Sequence, residues 1–224
     1  MRSLTEHHDS DDDALIARHV ALPPTRPAGR ALLRLNMISS ADGGTEIEGQ
    51  SGGLGNRNDH AVFAALRAQS DAVLVGMHTV VADHYGPPSV PGLRIFVISG
   101  KPDVSDDEKL FASGRATLVL PEDAAPAPDG VPELRAGTAG RVDLAAVATQ
   151  LAGNVVLMEG GPRLAGEMVA LGLIDEFFLT VSPMVIAGES LRATHGPPAD
   201  ATPWGLMHGF SDEDGYLFLR YARG

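Results

Sequence analysis

Short runs of consecutive apolar residues recur along the chain and are separated by stretches with helical periodicity. Such runs are typical of parallel strands that are buried on both faces of a sheet. Strands are predicted over residues 30–39, 71–76, 93–98, 117–120, 155–159, 176–181 and 216–221. The early strands alternate with helices, whereas the last two have no helix between them. The pattern therefore predicts an α/β fold with a mostly parallel central sheet and antiparallel strands added at its C-terminal edge.

Three helices are predicted between these strands from apolar spacing and capping residues. The first begins at the candidate caps Asn58 and Asp59 and ends near Arg67. The second spans residues 143–151, and the third follows Pro162, which suits the first helical position because it lacks an N–H. The third helix is predicted to bury the stripe of Leu164, Met168 and Leu171.

The first 29 residues differ in composition from the rest of the chain. Residues 6–13 are mostly acidic and polar, a composition that buries too little apolar surface to offset the entropy of ordering. Pro23, Pro24 and Pro27 then precede the first predicted strand. We therefore expect residues 1–29 to be a disordered acidic arm followed by a proline-rich linker, and residues 30–224 to form one domain.

The overall charge and composition exclude several classes of partner. The chain of 224 residues carries a formal net charge of −12 without clustered Lys or Arg, so nucleic acid is not expected to bind. No apolar run reaches about 18 residues, so no membrane span is expected. With no cysteine the chain shows no mark of secretion, and we expect a cytoplasmic protein. The eight histidines have no spacing that indicates a metal site.

The stretch Glu159-Gly160-Gly161-Pro162 lies between a predicted strand and a predicted helix. Two glycines allow a tight turn and close approach of the backbone to a ligand. The free N–H groups of the first helical turn favour an anion such as a phosphate. An ordinary strand-to-helix turn is the alternative interpretation of this stretch.

Two more clusters of polar residues and glycine follow predicted strands. One is Ser51-Gly52-Gly53, and the other combines Gly76 with Thr79 and Asp83. Because the carboxyl ends of parallel strands meet at one edge of a sheet, the clusters outline a long groove that suits a nucleotide cofactor. Rossmann, P-loop, hydrolase-elbow and zinc-deaminase motifs are absent from the sequence.

Several blocks of the sequence match one known family in the same order. They are residues 35–43, 51–52, 66–83, 159–164, 173–176 and 182–183. The blocks Thr-Val-Val-Ala-Asp at 79–83 and Glu-Gly-Gly at 159–161 are specific, and together the blocks resemble the pyrimidine reductase domain of bacterial riboflavin biosynthesis. The resemblance implies a three-layer dihydrofolate-reductase-like fold. It also implies NADPH as the cofactor and reduction of 5-amino-6-(5-phosphoribosylamino)uracil, with hydride passing to the sugar C1.

The resemblance also assigns roles to individual residues. It implies NADPH contacts for Ile38, Gly53, Gly76, Thr79, Asp83, Ser99, Gly160, Gly161, Pro162, Arg163 and Leu164. It implies substrate contacts for Asn36, Ser51, Arg67 and Glu159. The guanidinium of Arg67 is suited to a phosphate because it can bind two oxygens at once. Lys101, beside Ser99, is our own candidate for the 2′-phosphate of the cofactor.

The catalytic proton is assigned less directly. Asp42 or Glu159 could supply or orient a proton for an imine-like acceptor, and a water molecule is an equal alternative. For Asp42, a purely turn-forming role in Asp-Gly is the competing interpretation. His78, close to a predicted strand end, could be catalytic or serve packing.

The chain departs from the family pattern in two ways. Where the family usually continues as Asp-Pro-x-Leu-x-x-Arg, this chain has Asp83-His84-Tyr85-Gly86, so a second phosphate-binding arginine is missing there. The zinc deaminase half of many family members is also absent, so we expect reduction alone.

These departures leave alternatives open. A reductase of the same fold that acts on dihydrofolate or another pterin is one of them. A non-catalytic NADPH-binding regulatory protein is another. The small-molecule substrate is therefore a pyrimidine or a pterin. Family members usually form homodimers, and residues 173–183 could supply an apolar strand for that contact.

Overall fold

A nine-stranded sheet forms the centre of the protein. The computed structural model describes residues 12–23, 25–104 and 108–224. The strands in chain order are β1 Leu32–Ser40, β2 Ala72–Gly76, β3 Arg94–Ile98, β4 Ala116–Leu120, β5 Glu133–Arg135, β6 Val155–Met158, β7 Glu176–Ser182, β8 Trp204–Ser211 and β9 Leu217–Arg223. Their order across the sheet is β5-β4-β3-β2-β6-β1-β7-β9-β8. The pairs from β5 to β7 are parallel, and β9 and β8 extend the sheet with antiparallel pairs. The predicted α/β class, with antiparallel strands at the C-terminal edge, is confirmed.

Helices cover both faces of this sheet. They are α1 Asp12–Val20, α2 Arg57–Ala68, α3 Met77–Ala82, α4 Glu108–Ala112, α5 Leu144–Gln150 and α6 Pro162–Ala170. Val73 and Val75 of β2 pack in a cluster with residues of α3 and α4, whereas Leu74 packs in a cluster with residues of α5 and α6. Successive strand residues thus bury against opposite helical layers, as the period of two requires. The result is a three-layer arrangement.

Local capping explains where two predicted helices begin. The Asn56 side chain accepts a hydrogen bond from the N–H of Asp59 and caps α2, two residues before the predicted cap. Asp143 caps α5 as predicted, because its carboxylate accepts from the N–H groups of Ala145 and Ala146. In α6 the predicted burial of Leu171 is wrong, since this residue is 56% exposed at the helix end.

The predicted disordered arm contains a helix. Residues 1–11 lie outside the described residues, but residues 12–20 form α1, and the expectation of disorder is wrong for them. Val20 is buried in a cluster with Val62 of α2 and Phe218 of β9, and Ile16 packs against that cluster. The acidic residues at the start of the arm led to the prediction of disorder, although this short apolar face follows them. Residues 30–224 as one reductase domain stay a prediction.

Hydrogen bonds from two buried arginines connect the end of α1 to the sheet. Arg34 donates from Nη2 to the carbonyl of Val20, and Arg220 donates from Nη1 to the carbonyl of His19. Both guanidiniums pair with the carboxylate of Glu176, and all three side chains are buried. Burial lowers the pKa of His19 to about 3, with His208, Arg220 and Arg34 acting in the same direction. The His19 ring is therefore neutral in the folded protein at neutral pH.

Across the described ranges, no helix is long and apolar enough to cross a membrane.

Candidate active site

A cavity of about 490 Å³ opens at the carboxyl ends of β1 and β6, between the loop before α2 and the segment that follows β2. A volume of this size lies within the range of about 300–1,000 Å³ that pockets for small ligands occupy. The predicted substrate contacts Asn36, Ser51, Arg67 and Glu159 all line it. So do the predicted cofactor contacts Ile38, Thr79, Asp83, Gly160, Gly161 and Pro162. The structure thus brings residues from distant parts of the chain into one site.

The diglycine turn forms one wall of the cavity. Gly160 has φ +98°, a conformation that favours glycine, and its carbonyl accepts a hydrogen bond from the N–H of Gly76 at 3.2 Å. Gly161 is the N-cap of α6, and a Cβ placed on it would lie 2.7 Å from Oγ1 of Thr79. With Pro162 at the first helical position, the turn leaves space for a ligand next to the amino end of α6.

Asp83 connects two of the predicted polar clusters. Its backbone N–H ends α3 by donating to the carbonyl of Thr79. Its carboxylate accepts from the backbone N–H and the hydroxyl of Ser51, at 3.3 and 3.2 Å. Asp83 therefore fixes the loop that holds Ser51 against the helix that holds Thr79.

An ion pair lies next to the diglycine turn, since Glu159 directly precedes Gly160. Arg67 donates from Nε and Nη2 to the two carboxylate oxygens of Glu159, each at 2.7 Å. The Tyr85 hydroxyl donates to Oε2 of Glu159 at 2.8 Å. The guanidinium also lies over the rings of Phe63 and Tyr85, at 4.4 and 5.5 Å from the ring centres. The side chain of Glu159 is 1% exposed, and that of Arg67 is 19% exposed.

The pKa values of Tyr85 and Arg67 are both raised in this cluster. Burial raises the pKa of Tyr85 well above its usual value, and the charge of Glu159 adds to the effect. Burial lowers the pKa of Arg67, but its hydrogen bond and ion pair with Glu159 outweigh this and raise it overall. Tyr85 therefore stays a hydrogen-bond donor and Arg67 stays a cation.

This geometry changes the roles expected of Arg67 and Glu159. The edge of the guanidinium formed by Nε and Nη2 already binds Glu159, so it is not open to a substrate phosphate. Glu159 accepts hydrogen bonds from both Arg67 and Tyr85, and its catalytic role stays a prediction.

Replacing Arg67 by Met is expected to lower the free energy of unfolding by about 3–5 kcal/mol, because the carboxylate of Glu159 would remain buried without its counter-charge. The double variant Arg67→Met with Glu159→Gln should recover part of this loss. Urea unfolding of the wild type, both single variants and the double variant measures the coupling. Additive losses would show that the two side chains do not stabilise each other.

Other predicted site residues lie outside the cavity lining. Asp42 is exposed, and its carboxylate accepts from the Ser40 hydroxyl and from the N–H groups of Ile186 and Ala187. The hydrogen bond from Ser40 is the main reason why the pKa of Asp42 is lowered. The structure places Asp42 in a turn and not with the catalytic candidates. The predicted cofactor contacts outside the lining are Gly53, Gly76, Ser99, Arg163 and Leu164.

These outlying cofactor candidates still follow strand ends or turns of the same sheet edge. Ser99 directly follows β3, and its hydroxyl donates to the carbonyl of Lys101. Arg163 and Leu164 continue α6 beyond Pro162. Contacts of these residues with the cofactor remain predictions. They are compatible with their place outside the cavity lining, because an extended nucleotide would reach beyond the cavity that its reactive end enters.

The cavity is also lined by polar side chains that the sequence pattern did not single out, and by His78, which was considered either catalytic or part of the packing. Those without an expected role are Thr45, Glu46, Gln50, Asp59, His60, His84 and Tyr85. One signal could have revealed Asp59, because it lies four residues before Phe63 and eight before Arg67 on one face of α2. Tyr85 gave no such signal, since it reaches Glu159 across a separation of 74 residues.

The sequence matches one family model over most of its length. The model of the RibD C-terminal domain matches residues 31–218. Among curated proteins, the chain is 30% identical over 173 residues to the 2,5-diamino-6-ribosylamino-4(3H)-pyrimidinone 5′-phosphate reductase of Methanothermobacter thermautotrophicus. That match covers 69% of this chain and 76% of the relative.

Solved structures have the same fold at low sequence identity. A pyrimidine reductase-like protein from Corynebacterium diphtheriae has a TM-score of 0.75 at 20% identity, with 94% of this chain and 97% of that chain covered. The riboflavin biosynthesis reductase of Saccharomyces cerevisiae has a TM-score of 0.70 at 16% identity, over 96% and 100% of the two chains. Dihydrofolate reductase from Enterococcus faecalis, complexed with NADP(H), has a TM-score of 0.55 at 15% identity, over 86% and 96%. The dihydrofolate-reductase-like fold is thereby confirmed.

Proposed function

Because the chain belongs to the family of the RibD C-terminal domain, we propose that it is an NADPH-dependent reductase of a ribosylaminopyrimidine in riboflavin biosynthesis. The observation that carries this proposal is the cavity itself, which joins the diglycine turn to the pair of Arg67 and Glu159. One side of the cavity suits the diphosphate of a coenzyme. The other side presents the polar groups that a pyrimidine requires.

The residues at the diglycine turn fit NADPH. Peptide N–H groups at the start of α6 would donate hydrogen bonds to phosphate oxygens, and the absence of a side chain at Gly161 lets the turn pack closely against Thr79. The bound coenzyme would supply the hydride. Thr79, Gly160 and Gly161 would hold the coenzyme at the carboxyl edge of β6 and β2, and Ser99 and Lys101 lie farther along that edge toward β3.

The reaction that fits this site is reduction of the ring-opened sugar imine. Hydride adds to C1 of the sugar and one proton adds to the imine nitrogen, which leaves a ribitylamino group. Such a transfer depends on proximity and orientation more than on a strong acid. Glu159, fixed by Arg67 and Tyr85, would orient the substrate or the water that delivers the proton.

The substrate expected from the sequence is 5-amino-6-(5-phosphoribosylamino)uracil, whereas the archaeal relative is named for a 2,5-diaminopyrimidinone.

The test combines coenzyme binding with turnover. Titration with NADPH should quench or shift the fluorescence of the protein. Oxidation of NADPH should require a ribosylaminopyrimidine. Mass spectrometry should identify the product as a ribitylamino compound. Turnover of dihydrofolate in place of the pyrimidines would favour the pterin reductase. Tight NADPH binding without turnover of any of these substrates would favour a non-catalytic regulatory protein. Absence of NADPH binding would overturn the proposal.

The proposal extends to a cytoplasmic homodimer. The suggested contact through residues 173–183 does not use a free strand edge, because β7 is paired on both sides by β1 and β9. β8 is one of the two edge strands, with β5 at the other end of the sheet, and its Leu206 and Met207 are 48% and 62% exposed. Light scattering of the wild type and of Met207→Glu would test this, with a monomeric variant expected. A monomeric wild type would overturn the proposed homodimer.

A further inference from the structure

The chain between β7 and β8 contacts two separate parts of the cavity wall. Residues 184–195, called the bridging segment below, begin just after β7. Near its start this segment contacts the loop between β1 and α2, which supplies Thr45 and Glu46 to the cavity lining. At its end the N–H of His195 donates to the carbonyl of Pro162, another lining residue, at 2.9 Å. The bridging segment therefore connects the loop after β1 to the diglycine turn.

Asp42 joins the start of the bridging segment to this loop. Its carboxylate accepts from the N–H groups of Ile186 and Ala187, at 3.2 and 2.7 Å. The hydrogen bond from Ser40 lowers the pKa of Asp42, so the carboxylate is an ionised acceptor at neutral pH. Asp42 thus serves the backbone of a segment that follows it by more than 140 residues.

The backbone of Ala187 shows that these hydrogen bonds impose a shape on the segment. Ala187 has φ +53°, a conformation that residues other than glycine rarely adopt. Such a conformation persists only where the surrounding contacts determine it. The N–H of Ala187 makes the shorter of the two hydrogen bonds to Asp42. Asp42 therefore holds the segment in a conformation that an alanine disfavours.

Ser190 makes a second connection to the loop. Its Oγ accepts from the N–H groups of Thr45 and Glu46, at 2.9 and 3.2 Å. The hydroxyl of Thr45, which is buried, donates to the carbonyl of Leu191 at 2.9 Å. Two residues of the cavity lining are thus positioned by a serine that does not itself line the cavity.

The end of the bridging segment packs directly on α6. A Cβ at Gly166 would lie 2.5 Å from both the carbonyl carbon and the carbonyl oxygen of His195. A Cβ at Gly196 would lie 3.1 Å from the carbonyl carbon of Gly166. These contacts are with backbone atoms, which cannot turn aside as the end of a flexible side chain can. The close packing therefore requires glycine at position 166.

We propose that Asp42 and Ser190 are positioning residues, which hold the loop after β1 in register with the diglycine turn through the bridging segment. This inference rests on the proposed function and assigns new residues to the same site. The loop lies on the substrate side of the cavity, and the turn is the proposed coenzyme side. Hydride transfer requires the two ligands in a fixed relative geometry, and a misplacement of about 1 Å can cost about 100-fold in rate.

The main experiment compares Asp42→Ala with the matched control Asp143→Ala. The Asp143 carboxylate also accepts from two consecutive backbone N–H groups, at 3.0 Å, but it caps α5 and does not line the cavity. We expect Asp42→Ala to lower kcat by about tenfold or more, with KM for NADPH and for the pyrimidine within about threefold of the wild type. Both ligands keep their own contacts, and only their alignment changes. Asp143→Ala should keep the kcat of the wild type.

Three outcomes of this comparison would overturn the inference. One is a kcat in Asp42→Ala within about twofold of the wild type. Another is an equal fall in kcat in Asp143→Ala, which would show a general effect of lost stability. The third is a rise in KM without a fall in kcat, which would show that the loop contributes binding and not alignment. Urea midpoints establish that each variant is folded under the assay conditions.

Ser190→Ala tests whether the two connections act as one unit. It should also lower kcat, and the double variant with Asp42→Ala should lose less than the product of the two single losses, because both side chains act through the same segment. Losses in kcat that multiply would show independent roles and would contradict the inference.

Gly166→Ala tests the opposite end of the segment. Alanine is favoured over glycine inside a helix, so α6 itself should not be weakened. The added Cβ displaces His195 from the helix, and kcat should fall as in Asp42→Ala. A kcat equal to that of the wild type would show that the contact with α6 is not needed for alignment.

Amide hydrogen exchange separates this inference from the proposed function, because it needs no turnover. If the wild type does not oxidise NADPH, the proposed reductase fails, but exchange at the N–H groups of Thr45 and Glu46 is still measurable. It should be about tenfold faster or more in Asp42→Ala than in the wild type, and unchanged in Asp143→Ala. Unchanged exchange in Asp42→Ala would overturn the positioning role with or without turnover.

Discussion

Glu176→Gln is expected to lower the free energy of unfolding by about 3–5 kcal/mol, a large part of the about 5–15 kcal/mol that stabilises a typical domain. The Glu176 carboxylate accepts from Nε of Arg34 at 2.8 Å and from Nε of Arg220 at 2.9 Å. With an amide in its place, two guanidiniums would remain buried side by side without a counter-charge. The Nη1 atom of Arg34 already has no hydrogen-bond partner among the described residues. The prediction is checked by the urea midpoint at constant m.

The matched control is Glu133→Gln. Glu133 pairs with Arg135 at 2.7 Å, but this pair lies at the surface, where water screens the charges. The urea midpoint of this variant should stay close to that of the wild type. If Glu176→Gln unfolds at the same midpoint as the control, the buried cluster does not stabilise the protein as we infer.

Local patterns predicted the elements whose formation depends on nearby residues. The buried strands β2, β3, β4 and β6 are continuous apolar runs, and each was recognised with bounds close to those observed. The insertion of β6 between β2 and β1 was beyond such reasoning, because strand order depends on packing between distant segments.

Among the elements that the sequence patterns missed, α1 and β8 were missed for the same physical reason. Helix α1 contains acidic residues and His19, and its burial depends on Arg220, which is 201 residues away from His19. Strand β8 is mostly exposed, so it lacks the regular alternation that identifies a half-buried strand. Both elements are stabilised by partners that no local window of sequence contains.

The candidate site was predicted in its location but only partly in its contacts. The expectation that polar residues after parallel strands meet at one edge placed Ser51, Thr79 and the diglycine turn together, as observed. Arg67 and Glu159 were both expected to contact substrate, which stays a prediction, and the structure shows in addition that they pair with each other. Residue types indicated that charges were needed here, but only the fold shows which charges neutralise one another.

Gly161→Val is expected to weaken NADPH binding by about 100-fold or more. A Cβ at Gly161 would lie 2.7 Å from Oγ1 of Thr79, so the Thr79 side chain or the turn itself has to shift. Both belong to the wall of the cavity that is proposed to hold the phosphate oxygens. Loss of two charge-assisted hydrogen bonds corresponds to roughly 3–6 kcal/mol, which is more than 100-fold in affinity.

The control for Gly161→Val is the same substitution at Gly86. Gly86 also lines the cavity, but a Cβ there would meet no atom within 4 Å, so the isopropyl group fits without displacing its surroundings. Its NADPH affinity should remain within about threefold of the wild type, since no phosphate is expected at that end of the cavity. Fluorescence titration with NADPH measures both variants, and circular dichroism establishes that each is folded. Affinity equal to the wild type in Gly161→Val would place the coenzyme away from the diglycine turn and would remove the basis for the assignment of this wall of the cavity.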